Sequence, residues 1–248
     1  MSEPFGSRDW HQTQNRAYLD LLEKRLLEPP LTWVTQFVEL INAEVADGPL
    51  RPLTSVAISD YGCSVGHFFR CVQDVCRDVT YRGFDVSDTY LDIARRHFKT
   101  ERFQQLDISS PFVDLELPHS DVAIVSATLE HIEDHQRALR NIFSHTKHLV
   151  LLRTFVGTTP LTEWCRTIGA EKDYLIKQFT IGELTEVPAE LGYSVFEVID
   201  RATMGKTKMV CNSGSVPRRQ AILVFTKSSA SSPRPSITNR PEQADFAL

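Results

Sequence analysis

The chain is predicted to be an α/β protein: a doubly wound, mostly parallel seven-stranded sheet with an antiparallel closing strand, preceded by two N-terminal helices. Three observations carry that prediction. From Ser55 onward, short apolar runs alternate with amphipathic stretches, the pattern of a parallel sheet with helices on both faces. The first run, Ser55-Val56-Ala57-Ile58-Ser59-Asp60, ends in an acid and enters a loop with Gly62 and Gly66, as a βα unit that holds a ligand does. The last two runs, 194–200 and 219–227, flank a loop with Gly205, Gly214 and Pro217 and fit a closing antiparallel hairpin.

The elements follow in order. Residues 1–15 are polar and read as loose. Tyr18, Leu19, Leu22 and Leu26 recur at helical spacing until Pro29-Pro30 breaks the helix. Val34, Phe37, Val38, Ile41 and Val45 share the face of a second helix, closed by Gly48-Pro49 and Pro52. This 1–54 segment reads as a layer packed on the sheet, a lid over a ligand, or both. Strands are expected near 55–60, 79–84, 102–106, 121–126 and 148–153, with helices near 65–77, 88–98 and 132–144. Residues 154–178, with Gly157, Pro160, Trp164 and Gly169, break the rhythm and read as a substrate-side insertion. A helix near 180–191 and the closing strands complete a domain over 55–227. The 228–248 tail is rich in Ser, Pro, Arg, Asn and Gln and is expected to be disordered.

Composition narrows the function classes. The 248 residues suit one large α/β domain or two small ones, and the net charge of −5 gives no general attraction to phosphate backbones, disfavouring nucleic acid as partner. Five cysteines form no C-x-x-C pair and no zinc spacing. An odd count without a disulfide framework suits a reducing compartment, and with no signal peptide and no apolar run long enough for a membrane span the expectation is cytoplasmic.

The residues Asp60-Tyr61-Gly62-Cys63-Ser64-Val65-Gly66 resemble the first motif of the class I S-adenosylmethionine-dependent methyltransferases, D/E-x-G-x-G-x-G, with Ser64 in place of the middle glycine. A serine there could also cap the following helix. The same glycines would serve any sharp strand-to-helix turn, so the later strands matter. Asp85 ends the second strand about twenty residues on, where an acid can bind both hydroxyls of a ribose or cap the next helix. Asp107 ends the third, ahead of Ile108 and a Ser109-Ser110-Pro111 turn. The segment Leu129-Glu130-His131-Ile132 after the fourth strand resembles the L-E-H-I-x-D stretch of small-molecule methyltransferases. A nicotinamide dehydrogenase would need glycines at 62, 64 and 67, where this chain has Gly62, Ser64 and His67.

The resemblance implies S-adenosylmethionine as cofactor. It implies Asp60, Gly62, Cys63, Ser64 and Gly66 in the cofactor loop, Asp85 and Val86 at the ribose, Asp107 and Ile108 at the adenine, and Ser126 at the fourth strand's end. The acceptor is then a small polar molecule: a sugar, a lipid head group or a secondary metabolite. A non-catalytic cofactor-binding partner protein is the alternative, with a protein or RNA methyltransferase behind it. His131 is the candidate base by type and position, or else a positioning residue. Arg153 would anchor an anionic substrate or pair with an acid of a helix. His131 and His135 are four apart and would share a helix face, but H-E-x-x-H spacing is lacking and no metal is expected.

Overall fold

A computed structural model describes residues 16–111, 117–165, 174–208 and 218–227. The expected loose start and disordered tail lie outside the described residues. Seven strands form one path across the main sheet: β1 (Ser55–Tyr61), β2 (Asp78–Asp85), β3 (Phe103–Gln105), β4 (Ser120–Ser126), β5 (Thr146–Val156), β8 (Tyr193–Val198) and β10 (Arg218–Lys227). Their order is β3-β2-β1-β4-β5-β10-β8, and the two-residue β9 (Thr207–Lys208) adds to β10. The pairs among β1 to β5 are parallel. β10 runs antiparallel between β5 and β8, which realises the closing hairpin.

Alternation along the strands sorts side chains to two faces. Val56, Ile58, Val122, Ile124, Leu149 and Leu151 pack with Val34, Phe37 and Ile41 of α2 (Thr32–Asp47) and with Leu91 and Ala94 of α3 (Asp88–Phe98). Ala123, Val125, Val150 and Leu152 face the other way, onto α4 (His135–Ser144) and α5 (Ile181–Glu190). The sheet is thus covered on both sides, as a parallel sheet requires.

α1 (Arg16–Leu27) does not join either layer. Its Leu22 and Leu26 bury against Val65, Tyr90 and Ile93, above the glycine loop. Arg70 fastens its end, donating from Nη1 to the Arg25 and Glu28 carbonyls at 3.1 and 2.6 Å. The 154–178 segment contains a hairpin of β6 (Leu161–Cys165) and β7 (Tyr174–Gln178), separate from the main sheet.

Two expectations need correction. The helix expected at 65–77 is only a 3₁₀ turn at Phe69–Asp74: Val65, Phe68 and Cys71 fill the core, but Gly66 at φ +86° keeps a helix from starting at 65 and Val75, extended at ψ 129°, ends the turn. The cysteines are also not all free. Cys63, Cys71 and Cys76 are thiols, whereas Cys165 at the end of β6 is disulfide-bonded. Among the described residues, no helix is long and apolar enough to cross a membrane.

Candidate functional site

The C-terminal ends of β1 to β5 open into a cavity of about 410 Å³, the edge where parallel sheets bind ligands. Its strand-end wall runs from Asp60 to Ser64, through Phe84 to Val86 and Leu106 to Ile108, to Ser126 and Thr128. Opposite stand Tyr18, Leu22 and Arg25 of α1 and Tyr174 and Ile176 of β7. Tyr18 and Tyr174 both line the cavity, so the N-terminal helix and the β6–β7 hairpin both border the opening.

The glycine loop is a backbone device. The Gly62 and Cys63 amides donate to the Phe84 carbonyl at 2.7 and 3.0 Å. Gly62 has φ +74°, and any Cβ there would collide with the Thr128 side chain. Ser64 takes the left-handed conformation at φ +52°, and its amide donates to Asp85 Oδ2 at 2.9 Å. It caps no helix, because none starts there. Gly66 is not among the cavity-lining residues. A Cβ on it would come within 2.8 Å of Phe98 and 2.9 Å of Phe103, so this glycine serves close packing. The other proposed cofactor positions, Asp60, Gly62, Cys63, Ser64, Asp85, Val86, Asp107, Ile108 and Ser126, all line the cavity.

The strand-end acids are held locally. Asp85 is buried, and its Oδ1 also accepts the Ser87 amide at 2.9 Å; Ser87 itself caps α3. Asp107 Oδ1 accepts the Ser109 amide and hydroxyl at 3.0 and 2.6 Å, so this residue both shapes the turn and faces the cavity. Asp60 accepts the Tyr81 hydroxyl at 2.8 Å. Burial, with a smaller push from Asp85, outweighs that bond and raises the Asp60 pKa to about 7.

Beyond β4 the chain turns sharply. Ala127 is left-handed at φ +53°, and its amide donates to the Arg153 carbonyl at 2.9 Å. A short 3₁₀ turn, Leu129–His131, follows. His131 Nδ1 lies 2.7 Å from the Leu175 carbonyl on β7. A carbonyl only accepts, so Nδ1 carries the proton and Nε2 the lone pair of the neutral ring. Burial lowers the His131 pKa despite the opposing influence of Glu130, which keeps the ring neutral at pH 7. His135 does not share its helix face. It begins α4 and packs on Phe179, with ring centroids 4.9 Å apart. Among the described residues, no three metal-ligating side chains converge.

Arg153 lines the cavity but is already engaged. Its Nη2 donates to Asp200 Oδ2 at 3.0 Å and to Gln220 Oε1 at 2.8 Å. The acid comes from the segment after β8 rather than from a helix, and Arg153 and Asp200 are both buried.

Sequence reasoning missed several wall residues. Tyr18, Arg25, His67, Glu130, Phe155 and Tyr174 all face the cavity. Glu130 and Phe155 had signals, the first its place beside His131 and the second its place two residues after Arg153 at the end of the fifth strand. His67 is held neutral: burial, then Arg25 and Arg70, push its pKa down to about 4.

Residues 59–148 match the family described as methyltransferase domain. No curated protein matches the chain. The fold is similar to that of magnesium protoporphyrin IX methyltransferase from Synechocystis, solved with bound S-adenosylmethionine (TM-score 0.57, 16% identity, 92% of this chain and 100% of that one). It is similar to a S-adenosylmethionine-dependent methyltransferase from Clostridium acetobutylicum (TM-score 0.57, 10% identity, 86% and 98% covered). It is also similar to CalS10, an amino pentose methyltransferase from Micromonospora echinaspora (TM-score 0.55, 13% identity, 87% and 98% covered). Residues 59–148 are thus similar to a methyltransferase domain, and the sheet order sets them in a Rossmann-like fold shared with these S-adenosylmethionine-dependent enzymes.

Proposed function

We propose that this protein transfers the methyl group of S-adenosylmethionine to a small polar acceptor by direct displacement. The observation that carries this reading is the placement of a neutral imidazole, His131, in the same cavity as Asp85 at the end of β2 and Asp107 beyond β3. Two proteins of similar fold, a magnesium protoporphyrin IX methyltransferase and an amino pentose methyltransferase, support a small-molecule acceptor over a macromolecule.

The lining residues fit the cofactor. Asp85, oriented by two backbone amides, would accept the ribose hydroxyls. Asp107 would meet the adenine amino group, with Leu106 and Ile108 against the ring. Gly62, Cys63 and Ser64 would bring backbone close to the methionine end, and Ser126 would close the wall at β4. When bound, the cofactor supplies a methyl carbon activated by positive sulfur. The protein must then align the acceptor, which supplies roughly 7–11 kcal/mol of the barrier reduction, and exclude water. α1 and the β6–β7 hairpin serve that exclusion as a lid. His131 accepts the acceptor's proton at Nε2 as the new bond forms, worth about 10²- to 10⁴-fold. Arg153, tied to Asp200, positions Gln220 rather than anchoring an anion.

The test is formation of S-adenosylhomocysteine across a panel of small acceptors, alongside calorimetric binding of S-adenosylmethionine. Turnover with at least one acceptor is expected. Binding without turnover across the panel would favour the non-catalytic reading, and no binding would remove both.

A further inference from the structure

Glu130 is the anomaly of the cavity. Its residue is 1% exposed, yet it contributes to the cavity wall. Its one hydrogen bond comes from the Thr154 hydroxyl to Oε2 at 2.8 Å. Among the described residues, no lysine, arginine or histidine forms an ion pair with it. Arg153, one residue from Thr154, is engaged by Asp200. His131, adjacent in sequence, directs Nδ1–H to Leu175 and offers a lone pair on its other nitrogen. A buried carboxylate without a counter-charge is costly, and a cation brought by a ligand relieves that cost.

The position of Glu130 selects which ligand brings the cation. The ribose and adenine acids stand on β2 and beyond β3, to one side of β1. Glu130 is tied to β5, to the other side of β4, and is therefore on the acceptor's side of the cavity. Phe155 on β5 and Tyr174 on β7 line the same region, and aromatic faces favour cations.

We propose that the acceptor carries a protonated amine and that Glu130 is its counter-ion. This rests on the methyl-transfer reading for the presence of an acceptor, but the test separates the two. The probes are benzylamine, benzyl alcohol and benzoate, matched in size, added to the protein saturated with S-adenosylhomocysteine. Binding is followed by calorimetry at pH 7. Benzylamine is expected to bind at least tenfold more tightly than benzyl alcohol, with benzoate weakest. Glu130→Gln should lose that preference while S-adenosylmethionine and S-adenosylhomocysteine affinities stay unchanged. Glu130→Asp, which keeps the charge, should retain the preference and shows that a loss in the glutamine variant is not misfolding. Equal binding of the three probes, no binding, or a preference for benzoate overturns the proposal. A Glu130→Gln effect confined to S-adenosylmethionine over S-adenosylhomocysteine also overturns it, because the carboxylate would then face the sulfonium. Failure of the methyl-transfer reading has a different signature: neither cofactor form binds the native protein.

Discussion

Asp85 at the end of β2 and His131 beyond β4 line the same cavity, yet they are held in different ways. The Asp85 carboxylate is fixed by the amides of Ser87, two positions away, and Ser64, 21 away. Asp107 is fixed by Ser109, also two positions away. Across the cavity the partners are remote. Glu130 is held by Thr154 at a separation of 24 residues and His131 by Leu175 at 44. Arg153 reaches Asp200 and Gln220 at separations of 47 and 67. The β1–β3 side is therefore built within the βα units of β1 to β3, by turn amides two residues away and by bonds between the neighbouring strands β1 and β2. The β4–β5 side depends on the β6–β7 hairpin and the segments around β8 and β10, which can change without disturbing the first. A fold that keeps one cofactor and varies its acceptor needs this division.

The largest expected effect lies on the remote-contact side. His131→Ala should lower turnover by about 10²- to 10⁴-fold while cofactor affinity barely changes. The pH profile sharpens the assignment. Burial lowers the His131 pKa, and the base works as the neutral ring. Turnover should therefore hold as pH falls to about 6.5, the ordinary histidine value, and decline only below it. Near-normal turnover of the variant would leave His131 a positioning role at Leu175 alone.

Asp85→Ala probes the local side. Hydrogen bonds to a charged group are worth about 1.5–3 kcal/mol, so S-adenosylmethionine binding should weaken roughly ten- to a hundredfold. Acceptor KM should be little affected if the halves are separable. Calorimetry on the folded variant decides; unchanged affinity removes Asp85 from the cofactor site.

The same division explains what could be read in the sequence. The sheet was legible because its strands are apolar runs of ordinary length and its helices have clear faces. Asp85 and Asp107 were legible because each follows an apolar run and is held in part by an amide two residues on; Asp60 was legible from the glycine loop beside it, although its partner Tyr81 is 21 residues away. The helix expected at 65–77 differs because its apolar spacing serves the core, whereas Gly66 at φ +86° bars a start at 65 and extended Val75 ends the 3₁₀ turn. Gly66 looked like a ligand glycine but abuts Phe98 and Phe103, contacts that depend on the tertiary fold. Arg153 stood at the right strand end, but its partner Asp200 follows a strand two places across the sheet. Tyr18, Arg25 and Tyr174 belong to segments with no motif and reach the cavity only by docking.

A smaller effect should appear as pH-dependent stability at Asp60. Its folded pKa is about 7, against about 3.9 unfolded. Between those values the folded chain binds a proton that the unfolded chain has released. The contribution of Asp60 to stability is therefore full below about pH 4 and is lost as pH rises through about 7. Asp60→Asn removes this titration. Thermal melts of the ligand-free protein should show the native chain losing ground to the asparagine variant from pH 5 to pH 8. A constant difference over that range would mean that Asp60 is ionised throughout.

The smallest effect tests whether the serine in the glycine loop is merely tolerated. Ser64 sits at φ +52°, where a side chain costs about 1–2 kcal/mol relative to the right-handed form. Glycine avoids that cost but loses more backbone freedom on folding, about 0.5–1 kcal/mol. The net for Ser64→Gly runs from about zero to a stabilisation of about 1.5 kcal/mol, or at most roughly 3–6 °C in Tm for a chain of this size. The loop's link to Asp85 runs through the Ser64 amide, which glycine retains, so cofactor affinity should not fall. Ser64→Val keeps the amide but adds a branched Cβ at a left-handed position and should lower Tm instead. A glycine variant that melts lower, or binds S-adenosylmethionine more weakly, would show that the serine hydroxyl contributes to the site and that this side of the cavity does not rest on backbone alone.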